Sequence, residues 1–244
     1  MASEPVRAVL LAGGLGTRLA PYTMVFPKPL VPLGDIPIME IVLRQLRWHG
    51  VKSAYISVGH LAPLIEAYFL TRGPIEGMEI SYLREDEPLG TAGALAMLEG
   101  VDDDLLVCNG DILTTLDFTA LAGFHREQEA ALTIGVHTKK IRVDLGVLGV
   151  DGDGRVTEYI EKPTNSYQCS MGAYVYSPAA LKLIEPGKRL DFPDLVNRLL
   201  ERGEKVVAYR SDCYWMDIGR PEDYDRAAQD FDRMRAQLLP DEKG

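Results

Sequence analysis

The chain has 244 residues, of which 46% are apolar, and a chain of this length and composition can bury the core of one large domain. Its formal charge of −10 argues against a general affinity for nucleic acid or a membrane surface, while local binding of a small anion stays open. No apolar run reaches about 18 residues, the length of a membrane-spanning helix, and no signal pattern opens the chain. The three cysteines, Cys108, Cys169 and Cys213, lack CxxC spacing. Together these features predict a cytoplasmic protein with reduced thiols.

The first half of the chain alternates predicted strands with predicted helices. Residues 6–12 form an apolar run typical of a buried strand, and residues 37–49 have helical spacing between Pro37 and Gly50. Further strands are predicted at residues 53–58, 78–83 and 104–109, and further helices at residues 61–71, 91–98 and 117–130. This alternation predicts a parallel α/β sheet built from right-handed crossovers.

The second half is richer in strands. The predicted strands lie at residues 131–138, 146–151, 155–160, 172–177 and 205–209, and the predicted helices at residues 192–203 and 221–239. Residues 240–244 are expected to fray.

A glycine-rich loop, "LLAGGLGTRL", follows the first predicted strand at residues 10–19. Its glycines, Gly13, Gly14 and Gly16, can bring bare backbone N–H groups to a phosphate. Thr17 adds a hydroxyl and Arg18 a charged fork for phosphate oxygens. The alternative is a tight turn without a ligand.

Two better-known glycine motifs are absent. The dinucleotide fingerprint would need a glycine at Leu19 and an acid at the end of the strand at 53–58. The P-loop pattern that ends in Lys-Ser or Lys-Thr is missing as well.

The next loop, "PKPLVPL" at residues 27–33, contains three prolines that restrict where Lys28 points. A lysine held rigidly near a phosphate cradle predicts a second phosphate ligand, and the alternative is an ordinary solvated lysine.

Several sequence blocks follow in a fixed order. They are "LAGGLGTRLAP", "PKPLVPLGDIPIME", "PLGTAGAL" (88–95), "NGD" (109–111), "EKP" (161–163), "MGAYVY" (171–176) and "WMDIGRPEDY" (215–224). Together they resemble the sugar nucleotidyltransferases over residues 6–230, most closely the mannose-1-phosphate and heptose-1-phosphate guanylyltransferases, with N-acetylmuramate-1-phosphate uridylyltransferases also near.

The resemblance implies a Rossmann-like, mainly parallel mixed sheet with helices on both faces, the nucleotide-diphospho-sugar transferase fold. It implies one domain over residues 1–244, with a nucleotide-binding half at about 6–130 and a strand-rich, sugar-phosphate-binding half at about 131–230. It leaves the formation of a homo-oligomer open.

The implied reaction is attack by a sugar-1-phosphate on the α-phosphorus of a nucleoside triphosphate. A phosphate monoester is largely a dianion at pH 7, so this nucleophile needs no general base. The four histidines stand in no triad-like setting and are interpreted as structural or solvated: His49, His60, His125 and His137.

Two aspartates are the implied ligands of one Mg²⁺. Asp111 ends the strand at 104–109, at the edge of the sheet where α/β proteins bind ligands. Asp217 lies in an apolar stretch where a lone acid is costly, and its alternative role is a helix N-cap. Mg²⁺ takes one or two carboxylates plus phosphate oxygens and water. The acidic run at residues 102–104 precedes its strand and is interpreted as a solvated turn.

The resemblance assigns three groups of site residues. The implied catalytic residues are Arg18, Lys28, Asp111, Lys162 and Asp217. The implied nucleotide-binding residues are Leu11, Ala12, Gly13, Gly14, Gly16, Thr17, Arg18, Lys28, Glu85, Pro88, Gly90, Thr91, Asn109, Gly110 and Asp111. The implied sugar-phosphate-binding residues are Gly146, Glu161, Lys162, Ser170, Gly172 and Asp217.

The identities of the sugar and the base rest on single positions. Ser170 stands where the family usually has asparagine, and Leu145 where it often has an aromatic residue or arginine. Glu85 can accept the adjacent N1–H and N2–H₂ donors of guanine, so GTP is favoured over UTP or dTTP, unless Glu85 faces solvent. The competing functions are a metal-dependent glycosyltransferase and a non-catalytic nucleotide-sugar-binding regulator.

Overall fold

The computed structural model describes residues 7–14, 16–20 and 22–243. The helices are α1 (Ile38–Trp48), α2 (Ala62–Arg72), α3 (Gly90–Gly93), α4 (Phe118–Glu127), α5 (Pro178–Leu181), α6 (Phe192–Glu201) and α7 (Pro221–Leu238). The strands are β1 (Arg7–Leu11), β2 (Pro32–Leu33), β3 (Ile36–Pro37), β4 (Ser53–Val58), β5 (Glu79–Arg84), β6 (Leu105–Asn109), β7 (Ile112–Thr114), β8 (Leu132–Arg142), β9 (Val147–Val150), β10 (Val156–Ile160), β11 (Thr164–Tyr176), β12 (Val206–Arg210) and β13 (Trp215–Asp217).

Seven strands form the central sheet, in the order β12-β8-β11-β6-β1-β4-β5. Strand β11 runs antiparallel to both of its neighbours, whereas every other adjacent pair is parallel. The predicted α/β class with a mainly parallel mixed sheet is therefore confirmed. The carboxyl ends of β1, β4, β5 and β6 meet along one edge of the sheet.

Alternate side chains of β1 show that helices cover both faces. Ala8 and Leu10 belong to a buried cluster with residues of α1, α2 and α4, including Val42. Val9 belongs to the opposite cluster, which contains Leu195 of α6. Strands buried on both sides read as continuous apolar runs, and this explains why β1 was recognisable from its sequence.

A third buried cluster fixes the loops at the carboxyl edge. Phe231 of α7 packs with Leu19 of the glycine loop, Val31 of the proline-rich loop and Ile218, which follows β13. The C-terminal helix thus holds together three segments that the sequence nominated for the site.

Several elements differ from the prediction. The helix expected at residues 91–98 is only α3, followed by a 3₁₀ turn, Ala94–Met97. Strand β11 is much longer than the predicted strand at 172–177, because its first half pairs with the end of β8. Val6, the first residue of the first predicted strand, lies outside the described residues.

The expectation that residues 240–244 fray is wrong for residues 240–243. They form a 3₁₀ turn, in which Asp241 accepts a hydrogen bond from Arg44 at 2.7 Å and Glu242 accepts one from Arg235 at 2.8 Å. Gly244 lies outside the described residues. Over the part of the chain that the structure describes, none of the helices combines the length and the apolarity needed to span a bilayer.

Candidate active site

A cavity of about 430 Å³ opens at the carboxyl ends of β1, β4 and β6. Its wall comprises Leu11, Ala12, Gly13, Gly14, Gly16, Thr17, Arg18, Lys28, Pro29, Ser57, Glu85, Pro88, Gly90, Thr91, Asn109, Asp111, Asp191 and Gly219. All of the residues expected to bind a nucleotide line this cavity except Gly110. The N–H of Gly110 instead donates to the carbonyl of Leu11 at 2.9 Å and ties the end of β6 to β1.

The glycine loop enters the cavity wall directly from β1. Gly16 has a left-handed backbone, with φ of 62°, and a Cβ there would lie 2.9 Å from Cβ of Lys28. The hydroxyl of Thr23 donates to the Gly16 carbonyl at 2.7 Å and fixes the turn. Only glycine fits this close approach, which brings the first loop against the second.

Lys28 is not an ordinary solvated lysine, because only 8% of the residue is exposed. Prolines flank it on both sides, and its ammonium donates a hydrogen bond to a carboxylate oxygen of Asp111. A buried ammonium is tolerable only with such a partner. The loop therefore delivers a positive charge to the floor of the cavity.

Asp111 and Asp217 come together through a short strand pair. Strand β13 pairs antiparallel with β7, with Asp217 opposite Ile112, and the N–H of Ile218 donates to the carbonyl of Asp111 at 3.2 Å. Helix α7 takes Arg220 as its N-cap, so the alternative capping role of Asp217 is excluded. Burial and the nearby Asp111 carboxylate raise the pKa of Asp217, while Lys28 and Arg18 oppose that shift.

The two carboxylates fit a hard divalent cation. Their oxygen donors, their mutual repulsion and the position of Asp111 in the wall of an open cavity match what Mg²⁺ uses when substrate phosphates complete its coordination. Within the described ranges no group of three or more His, Cys, Asp and Glu side chains is arranged to hold a metal. Asp111 and Asp217 are accordingly the candidate ligands.

Glu85 faces the cavity rather than solvent. Its Oε1 accepts a hydrogen bond from the Ser57 hydroxyl at 2.6 Å, and its Oε2 accepts one from the N–H of Leu89 at 2.8 Å. A Cβ on Gly13 would lie 3.0 Å from Oε1, so the carboxylate stands against the glycine loop. The interpretation of Glu85 as part of a solvated acidic loop is therefore wrong.

Four residues of the wall were missed by sequence reasoning: Pro29, Ser57, Asp191 and Gly219. Pro29 and Gly219 adjoin predicted site residues, and Ser57 lies near the carboxyl end of β4, so position along a strand could have found them. Asp191 comes from the start of α6, and no local pattern indicates it.

The residues expected to bind the sugar phosphate do not line the cavity. Two of them adjoin its wall: Asp217 lies beside Asp111 and Gly219, and a Cβ on Gly172, whose φ is 73°, would lie 2.6 Å from Nδ2 of Asn109. Ser170 accepts a hydrogen bond from the N–H of Gly172 at 3.3 Å and donates to the Tyr174 hydroxyl at 3.1 Å.

Gly146, Glu161 and Lys162 lie on an arm, residues 139–169, in which no residue is buried. Lys162 occupies the turn between β10 and β11 with φ of 46°, and its Nζ lies 3.5 Å from Oε1 of Glu161. The Tyr159 hydroxyl donates to Oε2 of Glu161 at 2.9 Å and also packs against Gly146.

The histidines are structural or exposed, as expected. His125 is buried, with Nδ1 at 2.7 Å from the Thr133 hydroxyl and Nε2 at 3.5 Å from a carboxylate oxygen of Asp104. The interpretation of residues 102–104 as a solvated turn therefore fails for Asp104, whose carboxylate lies against that buried ring.

Glycine-presented backbone, two cations and two carboxylates at the carboxyl edge of an α/β sheet are typical of enzymes that bind nucleotide phosphates. The family model for nucleotidyl transferases matches residues 7–233. The chain belongs to this family.

Curated relatives and solved structures agree with this family assignment. The chain is 34% identical to a UTP–glucose-1-phosphate uridylyltransferase of Synechocystis over 90% of this chain and 61% of that protein. It is 32% identical to a mannose-1-phosphate guanylyltransferase of Mycobacterium tuberculosis over 96% of this chain and 66% of that protein. It thus spans about three fifths to two thirds of the length of these relatives.

Among solved structures, HddC from Yersinia pseudotuberculosis superposes with a TM-score of 0.72 at 28% identity, covering 93% of this chain and 99% of that chain. The same protein complexed with GMP-PN gives a TM-score of 0.70 at 27% identity and the same coverage.

Proposed function

We propose that this chain joins a nucleoside triphosphate to a sugar-1-phosphate and releases pyrophosphate. The observation that carries the proposal is the meeting of Lys28, Asp111 and Asp217 beside the glycine loop, next to a cavity that Lys28, Asp111 and Arg18 line. A metal-dependent glycosyltransferase has no need of this lysine and this loop. A regulator that only binds nucleotide-sugars has no need of the intact charged set.

The charged residues address the main barrier, which is the approach of two polyanions. Arg18 and Lys28 bind the triphosphate and stabilise the charge that develops at the α-phosphorus during in-line attack. Asp111 and Asp217 would hold Mg²⁺, which supplies Lewis-acid polarisation of phosphate oxygens when bound. Because the sugar phosphate is already a dianion, no residue has to remove a proton from it.

In this proposal residues 6–130 form the nucleotide half and residues 131–230 the sugar-phosphate half of one domain. Lys162 binds the phosphate of the sugar, and Glu161 accepts hydrogen bonds from sugar hydroxyls. Gly146, Ser170 and Gly172 allow close approach of the sugar.

The nucleotide is proposed to be GTP, with UTP as the alternative. Glu85 supports GTP because its carboxylate faces the cavity and can accept the adjacent donors of guanine. The relative named mannose-1-phosphate guanylyltransferase and the HddC complex with GMP-PN point the same way. The uridylyltransferase at 34% identity supports the alternative.

The test is pyrophosphate release from a panel of nucleoside triphosphates and sugar-1-phosphates in Mg²⁺. The proposal expects release only when both substrates are present, with the fastest pair identifying the base and the sugar. Release of nucleoside diphosphate from a nucleotide-sugar would instead support a glycosyltransferase, and binding without turnover would support a regulator.

A further inference from the structure

We propose that Asp191 recognises the ribose hydroxyls of the bound nucleotide and so makes the site selective for ribonucleoside over deoxyribonucleoside triphosphates. This inference rests on the proposed function, because it assigns a further residue of the same cavity. Asp191 stands in none of the sequence blocks that resemble the family.

The carboxylate of Asp191 faces the cavity although the residue begins a helix. Asp191 occupies the N-cap position of α6, but its side chain accepts no capping hydrogen bond from that helix. Its Oδ1 lies instead 3.4 Å from the N–H of Thr91 and would lie 2.6 Å from a Cβ on Gly90. An acid at the N-cap position normally accepts a hydrogen bond from a backbone N–H of the first turn. The side chain of Asp191 is directed to the cavity instead, and helix α6 is left without a side-chain cap.

Backbone groups on both sides of Asp191 also hold this segment in place. The carbonyl of Leu190 accepts hydrogen bonds from the N–H groups of Ala92 and Gly93, both at 3.0 Å. The N–H of Phe192 donates to the Thr91 hydroxyl at 2.8 Å. The segment is therefore anchored on both sides of Asp191, and the 3.4 Å contact of Oδ1 leaves that oxygen with capacity for a ligand hydroxyl.

The other carboxylate oxygen is already used. Arg189 donates to Oδ2 of Asp191 at 3.3 Å in an exposed ion pair. This contact leaves Oδ1 as the oxygen that faces Thr91 and Gly90.

Asp191 lines the same cavity as Glu85, Lys28 and Asp111. Glu85 follows β5 at one edge of the sheet, whereas Asp111 follows β6 nearer its centre. Asp191 contacts the loop after β5 through Thr91, and the ring of its neighbour Phe192 stacks 4.1 Å from that of Tyr174 on β11, beside β6. A nucleotide with its base at Glu85 and its phosphates at Lys28 has its ribose between those two residues, and Asp191 is the remaining acid of the wall, which we assign to the ribose.

The chemistry of the carboxylate suits that sugar. An ionised carboxylate only accepts hydrogen bonds, and the vicinal 2′- and 3′-hydroxyls of ribose are donors, as in dinucleotide-binding sites where an acid binds the ribose. A deoxyribonucleotide lacks the 2′-hydroxyl and leaves part of this acceptor capacity unused. The inference therefore places dTTP below UTP and GTP as a substrate.

The experiment compares GTP with dGTP and UTP with dUTP, in the wild type and in Asp191→Ala. Affinities are measured by titration calorimetry in Mg²⁺ and kcat/KM by pyrophosphate release with the best sugar-1-phosphate. The wild type should prefer the ribonucleotide of whichever base it uses. In Asp191→Ala that preference should fall by about one to two decades, because one charge-assisted hydrogen bond is lost.

The matched control is Asp194→Asn, an exposed acid in the first turn of the same helix, which should leave the preference unchanged. A wild type with equal affinity for ribonucleotides and deoxyribonucleotides would overturn the inference. So would an Asp191→Ala variant that loses affinity for both equally, because that result indicates a purely structural role. The calorimetric comparison needs no turnover, so failure of the transferase reaction alone leaves the test of Asp191 intact.

Discussion

Replacing Lys28 by methionine removes the charge at the cavity floor while keeping most of the buried stem. Lys28 is nearly inaccessible, and its ammonium is held by Asp111 beside the glycine loop. In the proposed complex that ammonium contributes one charge-assisted hydrogen bond to the triphosphate, worth about 1.5–3 kcal/mol. We expect kcat/KM for the triphosphate to fall by about one to two decades.

The matched variant is Lys162→Met, which removes the same charge from the exposed arm. Initial rates of pyrophosphate release are measured with each substrate varied while the other is saturating. Lys28→Met should mainly impair use of the triphosphate, and Lys162→Met should mainly impair use of the sugar phosphate. The reverse pattern would refute the assignment of the two subsites.

Three further predictions concern stability. The pKa of Asp217 is raised in the folded state, so its ionised form destabilises the fold. Asp217→Asn should therefore abolish turnover yet raise Tm at pH 7, and the gain in Tm should shrink as the pH falls toward 4. A gain in Tm that does not change with pH would contradict the reasoning. At Gly90, where φ is 79°, the Cβ of an alanine would lie 2.6 Å from the carbonyl oxygen of Leu190, whereas at Gly187, where φ is similar, it would meet open space. Gly90→Ala should therefore lower Tm clearly more than Gly187→Ala. Equal losses of Tm would exclude the close contact as the cause. Arg235→Gln removes exposed ion pairs, so it should lower the free energy of unfolding by at most about 1 kcal/mol at low salt and by almost nothing in 1 M NaCl. A larger loss in denaturant titrations that does not depend on salt would indicate a buried role of Arg235.

The sequence predicted the elements whose burial imposes a periodic pattern. Strand β1 and helix α1 lie within a residue or two of their predicted bounds, because β1 is a continuous buried run and α1 has apolar residues at helical spacing that are buried in two core clusters. Strands β7 and β13, of three residues each, are too short to show a period, yet their pairing brings Asp111 and Asp217 together. The pair could be nominated from the strand end at Asp111, the apolar surroundings of Asp217 and the resemblance, but not from any pattern of β7 and β13.

The cavity wall was predictable where it follows directly from a strand end and not where a distant segment closes it. The glycine loop follows β1, Asn109 ends β6 and Asp111 follows it closely, so the edge of the sheet specifies them. Asp191 reaches the wall only because hydrogen bonds of the backbone join its segment to the loop at Thr91, about a hundred residues earlier. Such a contact has no local signature.

The placement of Lys162 shows the opposite limit of prediction from sequence, in which a recognisable motif does not reveal the position of its side chain. The block that contains it is well matched to the family, yet the arm that carries it is exposed and its residues form no part of the cavity wall. A motif specifies which side chain is available, and the tertiary position of its strand pair decides where that side chain lies.

The central claim is nucleotidyl transfer to a sugar phosphate, and the fate of labelled phosphorus tests it most directly. The wild type is incubated with Mg²⁺, a sugar-1-phosphate and nucleoside triphosphate labelled at either the α- or the γ-phosphorus, with Asp111→Asn as the inactive control. The proposal predicts that the α-label enters a nucleotide-sugar and that the γ-label leaves in pyrophosphate, only when the sugar phosphate is present. Appearance of the γ-label in inorganic phosphate or on the sugar, with no α-label in a nucleotide-sugar, would contradict it.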